Sequence, residues 1–306
     1  MTGSLFRQGI IWLTAKPLVR TLVAERGPGR AMASRFVAGE TLDDGMRAAR
    51  ALNARGIGAM LDHLGENVSS PAQAQAAADA YVRALRRIEA MGVPDANISV
   101  KLTQLGLDVS YDLCLENTER VLRAAGGTLV MIDMEASEYV DRTLEAFEKL
   151  RANDPNIGLC IQSYLHRSAA DVDRIVRDGA IVRLAKGAYL EPPDVAIHDR
   201  AGVSRAYARL GATVLSRGGT LHIATHDPAL IEGAKRFIAA REIPRQRYEF
   251  QFLYGIRRDL QDQLLGDGYP VRVYIPYGPD WYPYLTRRLA ERPANIWFFV
   301  SNLMRR

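Results

Sequence analysis

Lys101, Asp133 and Arg183 are charged residues set at the ends of short apolar bursts, and each brings chemistry to such a place. Lys101 closes Ile98-Ser99-Val100 and precedes Leu102-Thr103-Gln104-Leu105-Gly106. A lysine there can pair with a carboxylate, or form a Schiff base where desolvation lowers its pKa; the plain alternative is a side chain snorkelling to solvent. Asp133 follows Leu129-Val130-Met131-Ile132 and, once buried, needs a partner. Lys101 on the adjacent strand is the natural one, in a structural ion pair or in a catalytic role. Arg183 and Lys186 flank a strand end that runs into Gly187. This suits an anionic or electron-rich ligand, a sugar phosphate included, because glycine permits close backbone approach and the cations offset negative charge.

A fourth candidate is the segment from Trp281 to Glu291, where Tyr284 stands three residues before Arg287 and four before Arg288. One helical face can therefore present a phenol beside guanidinium forks, which match a carboxylate. A solvated amphipathic helix with an ion pair to Glu291 fits the same spacing.

Eight bursts of strand length must position these groups: Ile57 to Leu61 ending at Asp62, Ile98 to Val100 at Lys101, Leu129 to Ile132 at Asp133, Ile157 to Ile161 at Gln162, Ile181 to Ala185 at Lys186, Leu221 to Ala224 at Thr225 and His226, Tyr248 to Phe252, and Val271 to Ile275 at Pro276. Helical patterns separate them, and parallel strands need such crossovers. The count predicts an α/β fold, a distorted (β/α)8 barrel with its site at the strand C-termini. Extra N-terminal helices over residues 1–50 would pack on a barrel spanning 51–306, and the last helix would lie over the barrel mouth. Helix starts are marked at Ser70-Pro71, at Ser168 before Ala169-Ala170-Asp171, and at Asp227-Pro228. Tyr189 to Arg200, with Pro192-Pro193, reads as a long loop able to cover the site.

Composition narrows the class. The 306 residues are 48% hydrophobic and 25% charged, as expected of one globular domain with a large core. The net charge of +5 comes from arginines scattered along helices, which argues against nucleic acid. Two cysteines, Cys114 on a predicted helix and Cys160 in the fourth strand, suggest neither a disulfide framework nor a metal site and fit a reduced cytoplasm. The apolar opening segment, with Ile10-Ile11-Trp12-Leu13 before Lys16-Pro17, is too short to span a bilayer. It predicts a helix packed on the barrel, or else an amphipathic contact with a membrane surface.

Several chemistries lack their motif. The five histidines show no zincin or deaminase spacing, no G-x-S-x-G elbow occurs, and Gly27-Pro28-Gly29 neither follows a strand nor has the third glycine of a dinucleotide fingerprint. From the residues alone, a Schiff-base aldolase using Lys101 or Lys186 leads, and a non-catalytic barrel binding an anionic metabolite is the alternative from another class.

Taken together, SVKLTQLG at 99–106, MIDME at 131–135, LCIQSYL at 159–165, VRLAKGAY at 182–189, IATHDP at 223–228, YEFQFLYG at 248–255 and WYPYLTRRLAERPAN at 281–295 resemble proline dehydrogenase. The match is similar to the short monofunctional bacterial form, since no aldehyde dehydrogenase domain follows. The resemblance implies non-covalent FAD, oxidation of L-proline to Δ1-pyrroline-5-carboxylate with hydride to flavin N5, and electrons passed to a membrane quinone. It also implies a cytoplasmic protein, with contact at the inner face of the membrane and hand-over to a separate pyrroline-5-carboxylate dehydrogenase as further expectations. Asp133 and Arg183 are implied as catalytic. Lys101, Arg287 and Arg288 would face the proline carboxylate, with Leu184, Tyr189, Tyr274 and Tyr284 around the ring. Flavin would be held by Met134, Gln162, Arg183, Lys186, Gly187, Ala188, Thr225, His226 and Gln251.

Overall fold

The computed structural model describes residues 34–285. Eight parallel strands close into a barrel in sequence order: β1 (Gly58–His63), β2 (Ala96–Val100), β3 (Val130–Ile132), β4 (Ile157–Gln162), β5 (Ile181–Ala185), β6 (Thr220–Ala224), β7 (Tyr248–Leu253) and β8 (Val271–Tyr277). Every expected burst forms a strand. The helices are α1 (Leu42–Asn53), α2 (Pro71–Ala90), α3 (Tyr111–Ala125), α4 (Val140–Arg151), α5 (Ser168–Ile175), α6 (Arg200–Ser216), α7 (Pro228–Ala240) and α8 (Arg258–Gly266). Helix α1 runs through residue 50, where the sequence placed a boundary, and packs on β1 and β8. The opening apolar segment and Arg287 and Arg288 lie outside the described residues.

Local chemistry explains the helix starts. Thr41 and Asp44 form a reciprocal capping box on α1, Ser70 caps α2 ahead of Pro71, and Asp227 caps α7 ahead of Pro228. Ser168 behaves otherwise than expected. It is the first residue of α5, Arg167 stands at the cap, and the Ser168 hydroxyl donates to the Gln162 carbonyl at 2.6 Å. A serine hydroxyl beside a buried strand-end carbonyl satisfies that carbonyl instead of a helical N–H.

Strand alternation divides the protein into a dry shell and a polar lumen. Leu61, Ile98, Val100, Ile132, Leu159, Leu184, Ile223, Phe250 and Val273 join helix residues such as Tyr81, Val121, Leu144 and Leu210 in one buried apolar cluster. That interface supplies the hydrophobic stabilisation. The intervening residues point inward, as Arg183 on β5 shows by reaching the sulfur of Met60 on β1 at 3.2 Å.

Candidate active site

At the C-terminal ends of the strands lies a cavity of about 650 Å³. Its lining comes from seven strands: Lys101 beyond β2, Asp133 and Met134 beyond β3, Cys160 and Gln162 of β4, Arg183 through Tyr189 around β5 with Leu184 excepted, Ala224 through Pro228 beyond β6, Gln251 through Leu253 of β7, and Tyr274 of β8. Tyr284 and Arg257 complete the wall.

The deep end is a compact charge cluster. Asp133 accepts from Arg183 and from the Ser99 hydroxyl through Oδ1, and from the Tyr274 hydroxyl through Oδ2 at 2.8 Å. Lys101 Nζ lies 3.5 Å from the same Oδ2, but its closer partner is Asp62 Oδ1 at 2.8 Å. The Arg183 guanidinium also sits 5.3 Å from the centre of the Tyr274 ring. Burial works against a charged Lys101, yet the attraction of Asp62, then of Tyr274 and Tyr81, raises its pKa well above the ordinary lysine value. A lysine held protonated in this way is a cationic anchor and a poor amine nucleophile, which removes the basis for a Schiff base at Lys101. Burial likewise pushes the Tyr274 hydroxyl far above its ordinary value, so it donates to Asp133 as a neutral phenol.

A second set of bonds fixes the strand ends. Glu135 accepts from the Thr103 backbone at 3.1 Å and from its hydroxyl at 2.5 Å, which anchors the turn following Lys101. Gln162 donates to the Glu135 carbonyl at 2.7 Å and accepts from the Ala188 N–H at 3.1 Å, bracing the ends of β3, β4 and β5. Gly187 has φ +129°, and a Cβ there would lie 2.2 Å from the Tyr164 ring, so only glycine fits. The loop after β5 is pinned where Glu191 accepts from the Ser137 backbone at 2.7 Å and its hydroxyl at 2.6 Å. The Tyr164 hydroxyl adds a bond to the Tyr189 carbonyl at 3.3 Å. These contacts hold Tyr189 at the cavity wall.

The outer end has a different chemistry. Lys186 pairs with Asp227 at 2.8 Å, Asp227 caps α7, and His226 accepts from the Leu253 N–H at 3.0 Å. Arg257, held in the left-handed region at φ 49° and bound to Asp259, faces the same space. Two cations beside a helix N-terminus suit phosphate oxygens.

Of the residues expected in the site, Lys101, Asp133, Met134, Gln162, Arg183, Lys186, Gly187, Ala188, Tyr189, Thr225, His226, Gln251, Tyr274 and Tyr284 all line the cavity. Leu184 does not. It faces outward between Arg183 and Ala185, is fully buried, and lies against Gly211 of α6. Alternation along the strand forbids Arg183 and Leu184 from sharing a face. The leucine that does line the cavity is Leu253 at the end of β7. Asp62, the partner of Lys101, carries no role in the sequence reading although it closes the first burst. Among the described residues no group of three or more His, Cys, Asp or Glu is arranged to hold a metal ion.

Comparison with known proteins decides the family. The proline dehydrogenase family profile matches residues 45–300. This chain belongs to the proline dehydrogenase family. It is 39% identical over 312 residues to the proline dehydrogenase of Deinococcus radiodurans, covering 100% of both chains. It is 36% identical over 276 residues to proline dehydrogenase 1 of Bacillus subtilis, covering 90% of this chain and 91% of that one. Among solved structures, proline utilization A from Bdellovibrio bacteriovorus, inactivated by N-propargylglycine, superposes with a TM-score of 0.82 at 23% identity. That superposition covers 94% of this chain and 36% of the larger protein, and it shows the shared barrel.

Proposed function

We propose that this proline dehydrogenase family member oxidises L-proline to Δ1-pyrroline-5-carboxylate, the first step of proline catabolism, using non-covalent FAD and passing electrons to a membrane quinone. The observation that carries this reading is one cavity with two chemistries. Its deep end holds an anion-binding cation beside an apolar wall, and its outer end offers phosphate-complementary groups.

The donor set fits FAD. Lys186, Arg257 and the α7 N-terminus, with Thr225 and His226, suit the pyrophosphate, while Met134, Arg183, Gly187, Ala188 and Gln251 border the space for the ring system. Gln162 borders the same space, and its amide also braces the strand ends, which leaves one N–H and one lone pair for the ligand. When bound, FAD supplies the acceptor for the hydride from the carbon next to the proline nitrogen.

The protein's own residues bind, orient and exclude water. Lys101, kept cationic by Asp62, meets the proline carboxylate, and the resemblance adds Arg287 and Arg288 to that task. Tyr189, Leu253, Tyr274 and Tyr284 wall the five-membered ring. Asp133 holds Arg183 and Tyr274 in place from one carboxylate, and the Arg183 charge stabilises the negative charge that two-electron reduction brings into the cavity. Positioning supplies much of the rate in such a transfer.

No helix among the described residues is long and apolar enough to cross a membrane. The same reading includes contact with the inner face of the membrane, where the quinone resides, and hand-over of the product to a pyrroline-5-carboxylate dehydrogenase. The reading is tested by the visible spectrum of the purified protein before and after anaerobic L-proline. Bleaching of a flavin spectrum supports it, a flavin indifferent to proline refutes the substrate, and failure to take up FAD refutes the cofactor.

A further inference from the structure

Arg183 has a sulfur among its acceptors. Its Nη2 donates to Asp133 Oδ1, while Nη1 donates to Met60 Sδ at 3.2 Å, with the Ser99 hydroxyl oxygen more distant at 3.4 Å. Met60 is fully buried on the lumen side of β1, between Ala59 and Leu61, which belong to the apolar shell. It does not line the cavity and carries no role in the site described above. A thioether is polarisable but a weak acceptor, so it offsets little of the guanidinium charge.

The same lumen contains a contrasting arginine. Beneath the cavity lies a second polar layer, where Arg272 of β8 donates to Glu249 Oε1 at 2.8 Å, to Asp95 Oδ1 at 2.6 Å and to the Ala59 carbonyl at 3.0 Å. All three acceptors are oxygens, two of them from carboxylates. Burial is the leading influence on both guanidinium groups and disfavours their charge. Around Arg272 the attraction of Glu249 and Asp95 outweighs burial and raises the pKa above the ordinary arginine value, whereas at Arg183 burial prevails and lowers it. Arg183 is thus the less neutralised of the two cations, and it is the one that faces the cavity.

We propose that Met60 is a positioning residue that tunes the site through Arg183: by giving Nη1 a thioether where an oxygen acceptor would fit, it leaves more of the Arg183 charge to act on the electron acceptor in the cavity and raises that acceptor's reduction potential. The inference rests on the flavin reading. In that reaction the substrate carbon gives up a hydride, two electrons with one proton, the substrate nitrogen releases a proton to solvent, and the negative charge gained by the acceptor faces Arg183. Met60 touches no reacting atom.

The test is the midpoint potential of the flavin bound to the full chain, measured by equilibration with a reference dye. Met60→Gln, of similar length, brings a carbonyl oxygen to Nη1. Asn97, in register with Met60 on β2, has Oδ1 buried with no hydrogen-bond partner among the described residues, which gives the new amide hydrogens an acceptor. The potential should fall by about 15–30 mV, a roughly three- to tenfold loss in the equilibrium constant of a two-electron couple. Met60→Leu, apolar and of near volume, supplies no oxygen and should keep that constant within about twofold of the wild type. Damage to packing alone would lower the melting temperature of either variant without separating their potentials. Where Met60→Gln takes up no flavin, Met60→Asn, shorter by one methylene, is held to the same expectation. An oxygen-bearing variant at the wild-type potential, or Met60→Leu falling as far as that variant, overturns the proposal even though FAD binds. A wild type that takes up no FAD refutes the flavin reading and this inference with it.

Discussion

Replacing Asp62 by Asn should convert Lys101 from a permanently charged anchor into one that titrates. Lys101 Nζ has two acidic neighbours, Asp62 at 2.8 Å and Asp133 at 3.5 Å, and Asp133 is already bound to Arg183, Ser99 and Tyr274. Removing one partner of a buried pair costs about 3–5 kcal/mol when it strands the other charge. Two features reduce that here. Asp133 remains close, and Asp62 Oδ2 is buried with no hydrogen-bond partner among the described residues, so the native pair already carries a desolvation cost. A loss of roughly 2 kcal/mol in folding stability is expected. The functional effect is separate. The first influence on the Lys101 ammonium is burial, which disfavours charge, and Asp62 is the largest influence against it. Without Asp62 the folded pKa falls, and the cation fades as pH rises through the new value. Losing a charge-assisted bond of about 1.5–3 kcal/mol to the substrate carboxylate raises KM for proline by roughly 10- to 100-fold. Steady-state kinetics with an artificial electron acceptor, run across neutral to alkaline pH, should show KM improving as pH is lowered, because protonation restores the anchor. A variant that melts earlier but keeps the wild-type KM at every pH would refute the argument and leave Asp62 a structural residue only.

Other perturbations address the remaining parts of the site. Tyr274→Phe deletes the 2.8 Å bond to Asp133 Oδ2 and should lower kcat/KM about tenfold with FAD retained; unchanged kinetics would make that bond purely structural. Gly58→Ala places a methyl group 2.9 Å from Arg272 Cζ and 2.7 Å from Asp95 Oδ2, so urea unfolding should show a loss of about 1–3 kcal/mol. Glu191→Ala releases the loop from Ser137, and limited proteolysis should then cut between residues 189 and 199 faster than in the wild type, with a higher KM. Burial lowers the pKa of both His63 and His222 below the ordinary 6.5. The neutral ring is favoured in the fold, so their contribution is fully present above pH 6.5 and is lost as pH falls toward the folded values. Stability should drop by up to about 1.4 kcal/mol per pH unit for each ring, and thermal melts of His63→Gln should show a shallower slope below neutrality.

The barrel was legible because the outward face of each strand is apolar, and because Ser70-Pro71 and Asp227-Pro228 announce helices between strands. The site was legible to the degree that strand ends carry it: Lys101, Asp133 and Lys186 each stand immediately after an apolar burst. Leu184 was misplaced although the needed signal was present, since an inward Arg183 sends its neighbour outward. The partner of Lys101 is a different case. Asp62 closes β1 much as Asp133 closes β3, and choosing between them requires knowing that Asp62 pairs in register with Ser99 while Asp133 is drawn off by Arg183 from across the lumen. Such a choice depends on strand register and on a contact between β3 and β5, neither of which a single sequence displays.

The polar lumen also explains why the charges near the cavity are tolerable. In the upper layer Asp62 and Asp133 face Lys101 and Arg183, two acids against two bases, with Ser99 and Tyr274 taking up further bonds. In the lower layer Arg272 meets Glu249 and Asp95, while His222 stays neutral. Each charge is paired within its layer, and Asp62 Oδ2 is the one carboxylate oxygen among these groups left buried without a hydrogen bond; pairing is the condition under which buried charge is retained at all. Stability then rests on the apolar shell between strands and helices, and the lumen is free to be arranged for chemistry. Removing Asp62 from the upper layer leaves an excess of positive charge where the substrate carboxylate is proposed to bind, yet tighter binding is not the expected result. The surviving lysine, deprived of its nearest counter-charge in a dry site, gives up its proton more easily, and its charge fades as pH rises.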